Sequence, residues 1–407
     1  MRLPLFVAAL AATTASPALS QTIVGDGEDL QAAIDAATSG DVIEIQSNGT
    51  FGGIRIANKD LTVRAGDGFA PVVSGPGDFT PLAAVLGSGA SGDNSVINLE
   101  GLTFVGAQTV VALENALAGT IQTLTVTFDD CNLSGGFASF EAPDRTLDVT
   151  FIDSLVRPMS PLQPTAAGSS IRIVNTTVLG EIDAACGSTL QIEDSDLRDS
   201  LVLEGVDGLP TELDIHRTTI TGGIELRSNI NGAVDALVES SLLEFDVNPG
   251  AGAALNVRQA GAATSLRAVN CTVRGYAFGL GVQGGALVEV ENVLFDGNGT
   301  DILLVSSDPA SVFRNSIIPD GSFDGIDGNS SGLATFGCGS ELVASTNGVD
   351  AGDSLVADLG ATDLLGNPRV QDGDGDGTPQ VNIGAIESLA DFGAQAIPFN
   401  GTGVNPE

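Results

Sequence analysis

The stretch Ile192-Glu193-Asp194-Ser195-Asp196-Leu197 is one copy of a phrase that recurs about ten times between Leu99 and Ile318. Each copy reads apolar, polar, Asn or Asp, a small hydroxyl or Cys, any residue, apolar. The third position recurs at steps near 22 residues, at Gly101, Asp130, Asp153, Asn175, Asp194, Arg217, Glu239, Asn270, Asn292 and Asn315. A period of this length indicates a solenoid in which each repeat forms one coil.

The chemistry of the phrase selects the kind of solenoid. Helical repeats need about 33 residues or more, and the Leu-x-x-Leu-x-Leu pattern of leucine-rich repeats is absent. Asn and Asp tolerate the left-handed backbone region, which suits a tight bend at the third position. The fourth position holds small side chains, and the sixth predicts an inward apolar ladder. The sequence therefore predicts an all-β, single-stranded parallel β-helix of about ten to twelve coils.

The N-terminal residues predict a short helix before the first strands. Leu30, Ala33, Ile34 and Ala37 share one helical face, and Gly40 ends the pattern. A helix in this place would cover the open end of the first coil. We therefore expect an N-terminal helical cap on the β-helix.

Two stretches, residues 29–45 (DLQAAIDAATSGDVIEI) and residues 49–66 (GTFGGIRIANKDLTVRAG), resemble the opening of pectate-lyase-like right-handed parallel β-helix proteins. The stretch from Gly366 to Glu387 resembles the ending of exported bacterial β-helix proteins. These resemblances imply a right-handed coil and a bacterial origin. They do not imply one activity, because the fold carries lyases, hydrolases, adhesins and surface proteins.

The chain is expected to be exported. Residues 1–20 are typical of a signal peptide, with Met1-Arg2, an apolar run and Ala18-Leu19-Ser20. Residues 21–407 then form one β-helix domain, in which 21–95 hold the cap and first coils, 96–320 the regular coils and 321–407 an Asp/Gly-rich closing segment. No later segment reaches the roughly 18 apolar residues of a membrane-spanning helix. We expect a secreted or cell-surface monomer, with a periplasmic location as the alternative.

The composition is strongly acidic, with 52 acidic and 15 basic residues and a net charge of −37. Such a surface repels nucleic acid and anionic lipid, which excludes them as partners. It suits Ca²⁺, a salty medium or plain solubility. The chain has no Trp and a single Tyr, Tyr276, so aromatic platforms for sugar rings are scarce.

The chain contains four Cys and one His. Cys131 and Cys271 share a repeat position six coils apart, about 29 Å by strand spacing, which is too far for a disulfide. We expect these two, with Cys186 and Cys338, to be small buried residues, although an even count in an exported chain also suits disulfides. His216 precedes a bend and is expected to point outward without a catalytic partner.

One local motif predicts a metal site. Asp372, Asp374 and Asp376, followed by Gly377, are spaced by two, so that their carboxylates can converge on a hard cation. An EF-hand is excluded, because Ile383 stands where the last Glu ligand belongs and no helices flank the loop. Two interpretations remain open: a structural Ca²⁺ turn, and a solvated Asp-Gly turn without an ion.

A column of outward residues forms the second candidate site. If Ile182, Leu201, Ile224 and Phe245 face inward, the residues that follow them stack on one outer face. Carboxylates two coils apart would be separated by about 9.6 Å, near the upper limit for an inverting hydrolase pair. The catalytic candidates, if the protein is an enzyme, are Asp183, Glu225, Asp246 and Arg227. The ligand-face candidates are Glu204 and Tyr276. The alternative is a solvated face of an acidic protein.

The resemblance implies that a lyase of this fold would use an Arg or Lys as base beside a Ca²⁺-bound uronate. Arg157, Arg198 and Arg227 are the nearest candidates, but none lies in a recognisable lyase signature. Two hypotheses follow. The first is a non-enzymatic exported protein whose elongated acidic face serves adhesion to, or binding of, a polysaccharide or cell-surface glycan. The second is a polysaccharide lyase or glycoside hydrolase.

Overall fold

The computed structural model describes residues 20–57, 59–75, 82–86, 94–106, 109–113, 122–134, 137–141, 145–157, 159–163, 168–185, 187, 189–245, 252–336, 342–343, 347–356 and 359–388. Within them the chain winds into coils of three short strands, and each strand pairs in parallel with its counterparts in the neighbouring coils. The predicted all-β parallel β-helix is confirmed. The signal peptide predicted for residues 1–20 lies outside the described residues, apart from Ser20.

The strands form three sheets. Sheet 1 has 13 strands: Gln21–Val24, Asp41–Ile45, Leu61–Ala65, Ser95–Glu100, Gln122–Asp129, Arg145–Ile152, Ser170–Val174, Thr189–Glu193, Thr211–His216, Val234–Glu239, Thr264–Val269, Leu287–Glu291 and Val312–Arg314. Sheet 2 has 11: Thr50–Gly52, Val72–Ser74, Thr103–Val105, Asn132–Leu133, Leu155–Val156, Thr177–Val178, Asp196–Leu197, Thr219–Ile220, Leu242–Glu244, Thr272–Arg274 and Leu294–Asp296. Sheet 3 has 11: Ile54–Ile56, Leu82–Leu86, Thr109–Leu113, Phe137–Glu141, Met159–Gln163, Ile182–Ala185, Leu201–Glu204, Ile224–Arg227, Ala253–Arg258, Phe278–Gln283 and Thr300–Leu304.

A single helix, Leu30–Ala36, occurs in the described part of the chain. Asp29 caps it by accepting a hydrogen bond from the Ala32 amide, and Leu30 and Ile34 are buried. The strand Gln21–Val24 pairs with Asp41–Ile45 and forms the outermost strand of sheet 1. The predicted N-terminal helical cap is therefore not supported: the helix has seven residues and is inserted between two strands.

The bend between sheets 1 and 2 explains the repeated phrase. The bend residue has a positive φ in coil after coil, as at Asn175 (46°) and Asp194 (51°). The next residue continues a hydroxyl ladder: Ser195 Oγ accepts from the Thr176 amide and donates to the Glu193 carbonyl. A small hydroxyl follows the bends at Asp153, Asn175, Asp194, Arg217, Ser240 and Asn315, where it satisfies backbone groups that the turn leaves unpaired inside the coil.

One coil differs from the predicted register by a single residue. The residue with positive φ is Ser240 (54°), so Glu239 is the last residue of its strand and not the bend. The inward apolar residue is accordingly Leu243, which is fully buried in the main core. Leu242, which the phrase had placed inside, instead packs against Ala385 and Ile386 of the C-terminal segment.

The interior is filled by apolar residues from all three sheets. Leu190 and Ile192 of one coil and Leu213 and Ile215 of the next are at most 1% exposed. Cys131 and Cys271 are free and buried, as predicted for these two. Cys186 and Cys338 lie outside the described residues. No helix within the described part of the chain has the length and apolar character needed to cross a membrane.

The C-terminal part of the chain, residues 347–356 and 359–388, packs along the side of the coils, and we call it the strap. Its contacts lie on the bends between sheets 1 and 2. Asn292 and Asp353 exchange two hydrogen bonds of 2.8 and 3.0 Å, the Ala385 amide donates to Thr272 Oγ1, and the Gly384 amide donates to the Asn292 carbonyl. The residues between the last strand and the strap pack on the last coil. Among them, Phe323 stacks on Phe313, with 4.5 Å between the ring centroids.

Candidate functional site

The outer face of sheet 3 carries the column of candidates. Strand register aligns Asp183 with Val202, Val202 with Glu225, and Glu225 with Asn256. Asp183 and Glu225 therefore lie two coils apart on one face, where the alternation placed them. Asp246 lies outside the described residues, and Asn256 occupies the next place in the column.

A second column runs beside the first, two residues further along each strand. Glu204 aligns with Arg227, Arg227 with Arg258, and Arg258 with Gln283. Two guanidinium groups thus lie on adjacent coils, with side chains 44% and 49% exposed. Arg258 could not be placed from the sequence, because the long step between the bends at Ser240 and Asn270 hides its position in the repeat.

Glu225 joins the two columns. Its Oε2 lies 2.6 Å from Arg227 Nη2, and its Oε1 lies 3.2 Å from Arg258 Nε and 3.3 Å from Asn256 Nδ2. The hydrogen bond from Arg227 lowers the pKa of Glu225 below its usual value, with both guanidinium charges helping and partial burial opposing. The same hydrogen bond raises the pKa of Arg227. Glu225 is therefore a fixed anion between two fixed cations.

Tyr276 does not lie on the ligand face. It is 1% exposed, and its hydroxyl donates to the carbonyls of Ile220 and Thr221. Its ring lies 5.5 Å from that of Phe245. The apolar ring is more stable in the core, and the two carbonyls satisfy its one polar atom, so the prediction of a ligand-face role is wrong.

His216 has a carboxylate partner, contrary to the expectation from the sequence. Its Nδ1 lies 2.6 Å from Oε2 of Glu239, which is buried, and the imidazole is 32% exposed. The hydrogen bond that His216 donates to Glu239 raises the pKa of His216 against the opposing effect of burial. The other oxygen of Glu239 accepts from the Gly360 amide of the strap. The one-residue register error at Ser240 concealed this pair, because it made Glu239 a bend residue.

A shallow groove lies between these coils and the strap. Arg217 forms its edge and is bound to Asp194 and Glu193 at 2.6–2.8 Å. Two adjoining depressions of about 330 and 340 Å³ meet at this residue, one bordered by Leu364 and Leu365 and the other by His216. The ion pairs occupy the guanidinium of Arg217, which leaves it few free donors toward the groove.

The structure changes the membership of the predicted metal site. Asp372 and Asp374 come together with Asp350, and one carboxylate oxygen of each lies within 4.8 Å of the other two. Asp376 instead accepts a hydrogen bond from the Thr378 amide with one of its oxygens. Asp350 was missed because it lies 22 residues before Asp372 in a segment without a motif.

Comparisons with known proteins assign no family to this chain. No family model matches the chain. No curated protein matches it in sequence. Among solved structures, a crystal structure of the pectate lyase Pel9A is similar, with 12% identity over 91% of this chain and 97% of that chain, at a TM-score of 0.47. The parallel β-helix expected from the sequence is confirmed by the strand pairing of the three sheets, independently of this likeness.

Proposed function

We propose that this chain is an exported protein that binds a polysaccharide along the outer face of sheet 3 and does not cleave it. The observation that carries the proposal is the pair Arg227 and Arg258, held by Glu225 between them. Glu204, Asp183 and Asn256 lie on the same face in register with them.

The face offers hydrogen-bonding groups at regular intervals. Each guanidinium has five N–H donors and uses few of them on Glu225, and the Arg227 and Arg258 side chains are 44% and 49% exposed. Adjacent coils are about 4.8 Å apart, a spacing comparable with the length of a sugar ring. A linear glycan lying along the coil axis would meet Arg227 and Arg258 at successive sugars, and a carboxylated glycan would pair with both.

The same geometry argues against acid–base catalysis at this face. A general acid or base must change protonation near the working pH. Glu225 has a lowered pKa and Arg227 a raised one, so both stay charged across the neutral range. A lyase would need a base other than Arg227. A hydrolase would need a general acid other than Glu225.

The test is binding of the full chain to immobilised acidic and neutral polysaccharides, with parallel assays for unsaturated uronate and for new reducing ends. We expect retention on a carboxylated polysaccharide and no product. The double variant Arg227→Gln/Arg258→Gln should weaken binding at least tenfold. Arg172→Gln is the matched control, since Arg172 is half exposed on sheet 1 and pairs with Glu193.

Two results would overturn the proposal. Product formed by the wild type would make the protein an enzyme. Equal binding by the double variant and the Arg172→Gln control would move the ligand away from sheet 3.

We also propose, from the signal-peptide pattern of residues 1–20, a secreted or cell-surface location. A right-handed coil, as the sequence resemblance implies, and a monomeric state complete this proposal. Edman sequencing of exported protein tests the cleavage before Gln21, and sedimentation tests the monomer.

A further inference from the structure

The three carboxylates of Asp350, Asp372 and Asp374 lie on two different segments of the strap. The Asp350 carboxylate accepts from the Gly373 amide at 3.2 Å and from the Asp374 amide at 2.9 Å. Oδ2 of Asp372 accepts from the Gly377 amide at 2.9 Å. Among the described residues, no Lys, Arg or His forms a salt bridge with any of the three. Three negative charges therefore share this place without a compensating side chain.

A second observation points to a ligand. Oδ1 of Asp372 is shielded from solvent and has no hydrogen-bond partner among the described residues. A carboxylate oxygen that is removed from water without a partner costs free energy, and in a native protein such an atom calls for a bound ion or water. The oxygen belongs to one of the three carboxylates that converge here.

The dimensions fit a hard divalent cation. Ca²⁺ binds oxygen ligands at about 2.3–2.6 Å, so two oxygens on opposite sides of the ion lie about 5 Å apart at most. The three carboxylate oxygens meet that limit. Mg²⁺ demands a tighter octahedron with ligands at about 2.0–2.1 Å and usually keeps several waters, so a site of carboxylates from two chain segments favours the larger ion.

We propose that Asp350, Asp372 and Asp374 form a Ca²⁺ site that ties the two segments of the strap together. The antiparallel bridge between Gly352 and Val381 and the hydrogen bond from the Asp350 amide to Asn382 already join these segments. The Ca²⁺ ion adds an electrostatic link between the two segments at this junction. Asp376, which belongs to the motif in sequence, is not a ligand.

The experiment is calorimetric titration of the full chain with CaCl₂ after chelator treatment, followed by thermal unfolding with and without Ca²⁺. We expect binding at one site, a higher unfolding temperature in Ca²⁺, and at least tenfold weaker binding of Mg²⁺. Asp350→Asn and Asp372→Asn should each weaken Ca²⁺ binding at least tenfold. Asp376→Asn is the matched control and should bind like the wild type.

Three outcomes would overturn the site: no heat of binding up to millimolar Ca²⁺, Asp350→Asn binding as tightly as the wild type, or Asp376→Asn losing as much affinity as Asp372→Asn. If Asp350→Asn fails to fold, the test is the difference in Ca²⁺ affinity between Asp372→Asn and Asp376→Asn. These two variants each change one carboxylate of the same loop. Glycan binding on sheet 3 is measured separately and does not decide this test.

Discussion

Arg369 shows how one residue can fix a segment that has little regular secondary structure. Its side chain is 1% exposed and pairs with Glu387 at 3.0 Å, while Nη2 donates to Ser240 Oγ at 2.7 Å and to the Asn270 carbonyl at 3.3 Å. The guanidinium thus bonds both the strap and two successive bends. Only Arg supplies enough donors in a fixed plane to reach all of these acceptors.

Replacing Arg369 by Met should destabilise the protein strongly, because it leaves the carboxylate of Glu387 buried without its cation. Breaking a buried pair from one side costs about 3–5 kcal/mol. The double variant Arg369→Met/Glu387→Leu removes both charges and should be less destabilised than the single variant. Denaturant unfolding and hydrogen exchange of the strap amides measure both effects.

The control is the exposed pair Arg198–Asp196, in which the Arg side chain is 59% exposed. Arg198→Ala should change the free energy of unfolding by about 1 kcal/mol or less, as expected for a surface ion pair. A cost for Arg369→Met no larger than that for Arg198→Ala would contradict the anchoring role.

At the scale of elements, docking of the strap onto sheet 1 should depend on pH. Glu239 accepts from His216 and from the Gly360 amide of the strap. Burial pushes the pKa of Glu239 upward, but hydrogen bonds from His216 and Ser240 outweigh it and leave the pKa below its usual value. The pKa of His216 is raised, chiefly by its hydrogen bond to Glu239 and further by Asp214 on its own strand and Glu193 on the neighbouring strand.

For each group, the pH dependence of its contribution to stability follows from the difference between its pKa in the folded and unfolded states. The contribution of His216 is complete below the ordinary His pKa of about 6.5 and is lost as the pH rises through the raised pKa. The contribution of Glu239 is complete above the ordinary Glu pKa of about 4.3 and is lost as the pH falls through the lowered pKa. Docking should therefore be strongest between about pH 4.3 and 6.5.

Hydrogen exchange at the Gly360 amide, expressed as protection relative to the free peptide, measures this dependence. We expect protection to fall as the pH rises above the raised pKa of His216, and His216→Gln to abolish that fall. An unchanged alkaline fall in His216→Gln would assign it to another group. Because the chain has one His, a single imidazole resonance reports the titration directly.

How far each element could be predicted from the sequence depends on how local its contacts are. The bends at Asn175 and Asp194 were predictable, since the left-handed conformation restricts the residue type itself. The shift from Glu239 to Ser240 was not, because Ser has no strong preference for that conformation. The strap and the role of Arg369 depend on partners about 100 residues away, which no periodic pattern encodes.

Some residues of the candidate site could also be placed from the sequence, and others could not. The alternation of strand residues was enough to stack Asp183 above Glu225, because a parallel sheet with constant register repeats the same face in every coil. Arg258 was hidden by an insertion of unknown length in the repeat. Tyr276 was misplaced because composition favoured a sugar platform, whereas the core supplied two carbonyls for its hydroxyl.

On the scale of the whole molecule, charge should set the response to salt. The net charge is −37, and parallel coils place like residues about 4.8 Å apart, well within the Debye length of about 10 Å at 0.1 M ionic strength. Raising NaCl from 10 mM to 0.2 M screens the self-repulsion of the folded rod more than that of the extended chain. We expect the midpoint of thermal unfolding to rise by a few degrees.

The measurement separates screening from ion binding if CaCl₂ is compared with NaCl at equal ionic strength. Screening acts on all 52 carboxylates and depends on ionic strength alone, so it persists in Asp372→Asn. A site at Asp350, Asp372 and Asp374 adds an increment that only Ca²⁺ gives and that Asp372→Asn removes. A midpoint that falls with NaCl would mean that the ion pairs along the three sheets, which salt weakens, outweigh the repulsion among the unpaired carboxylates.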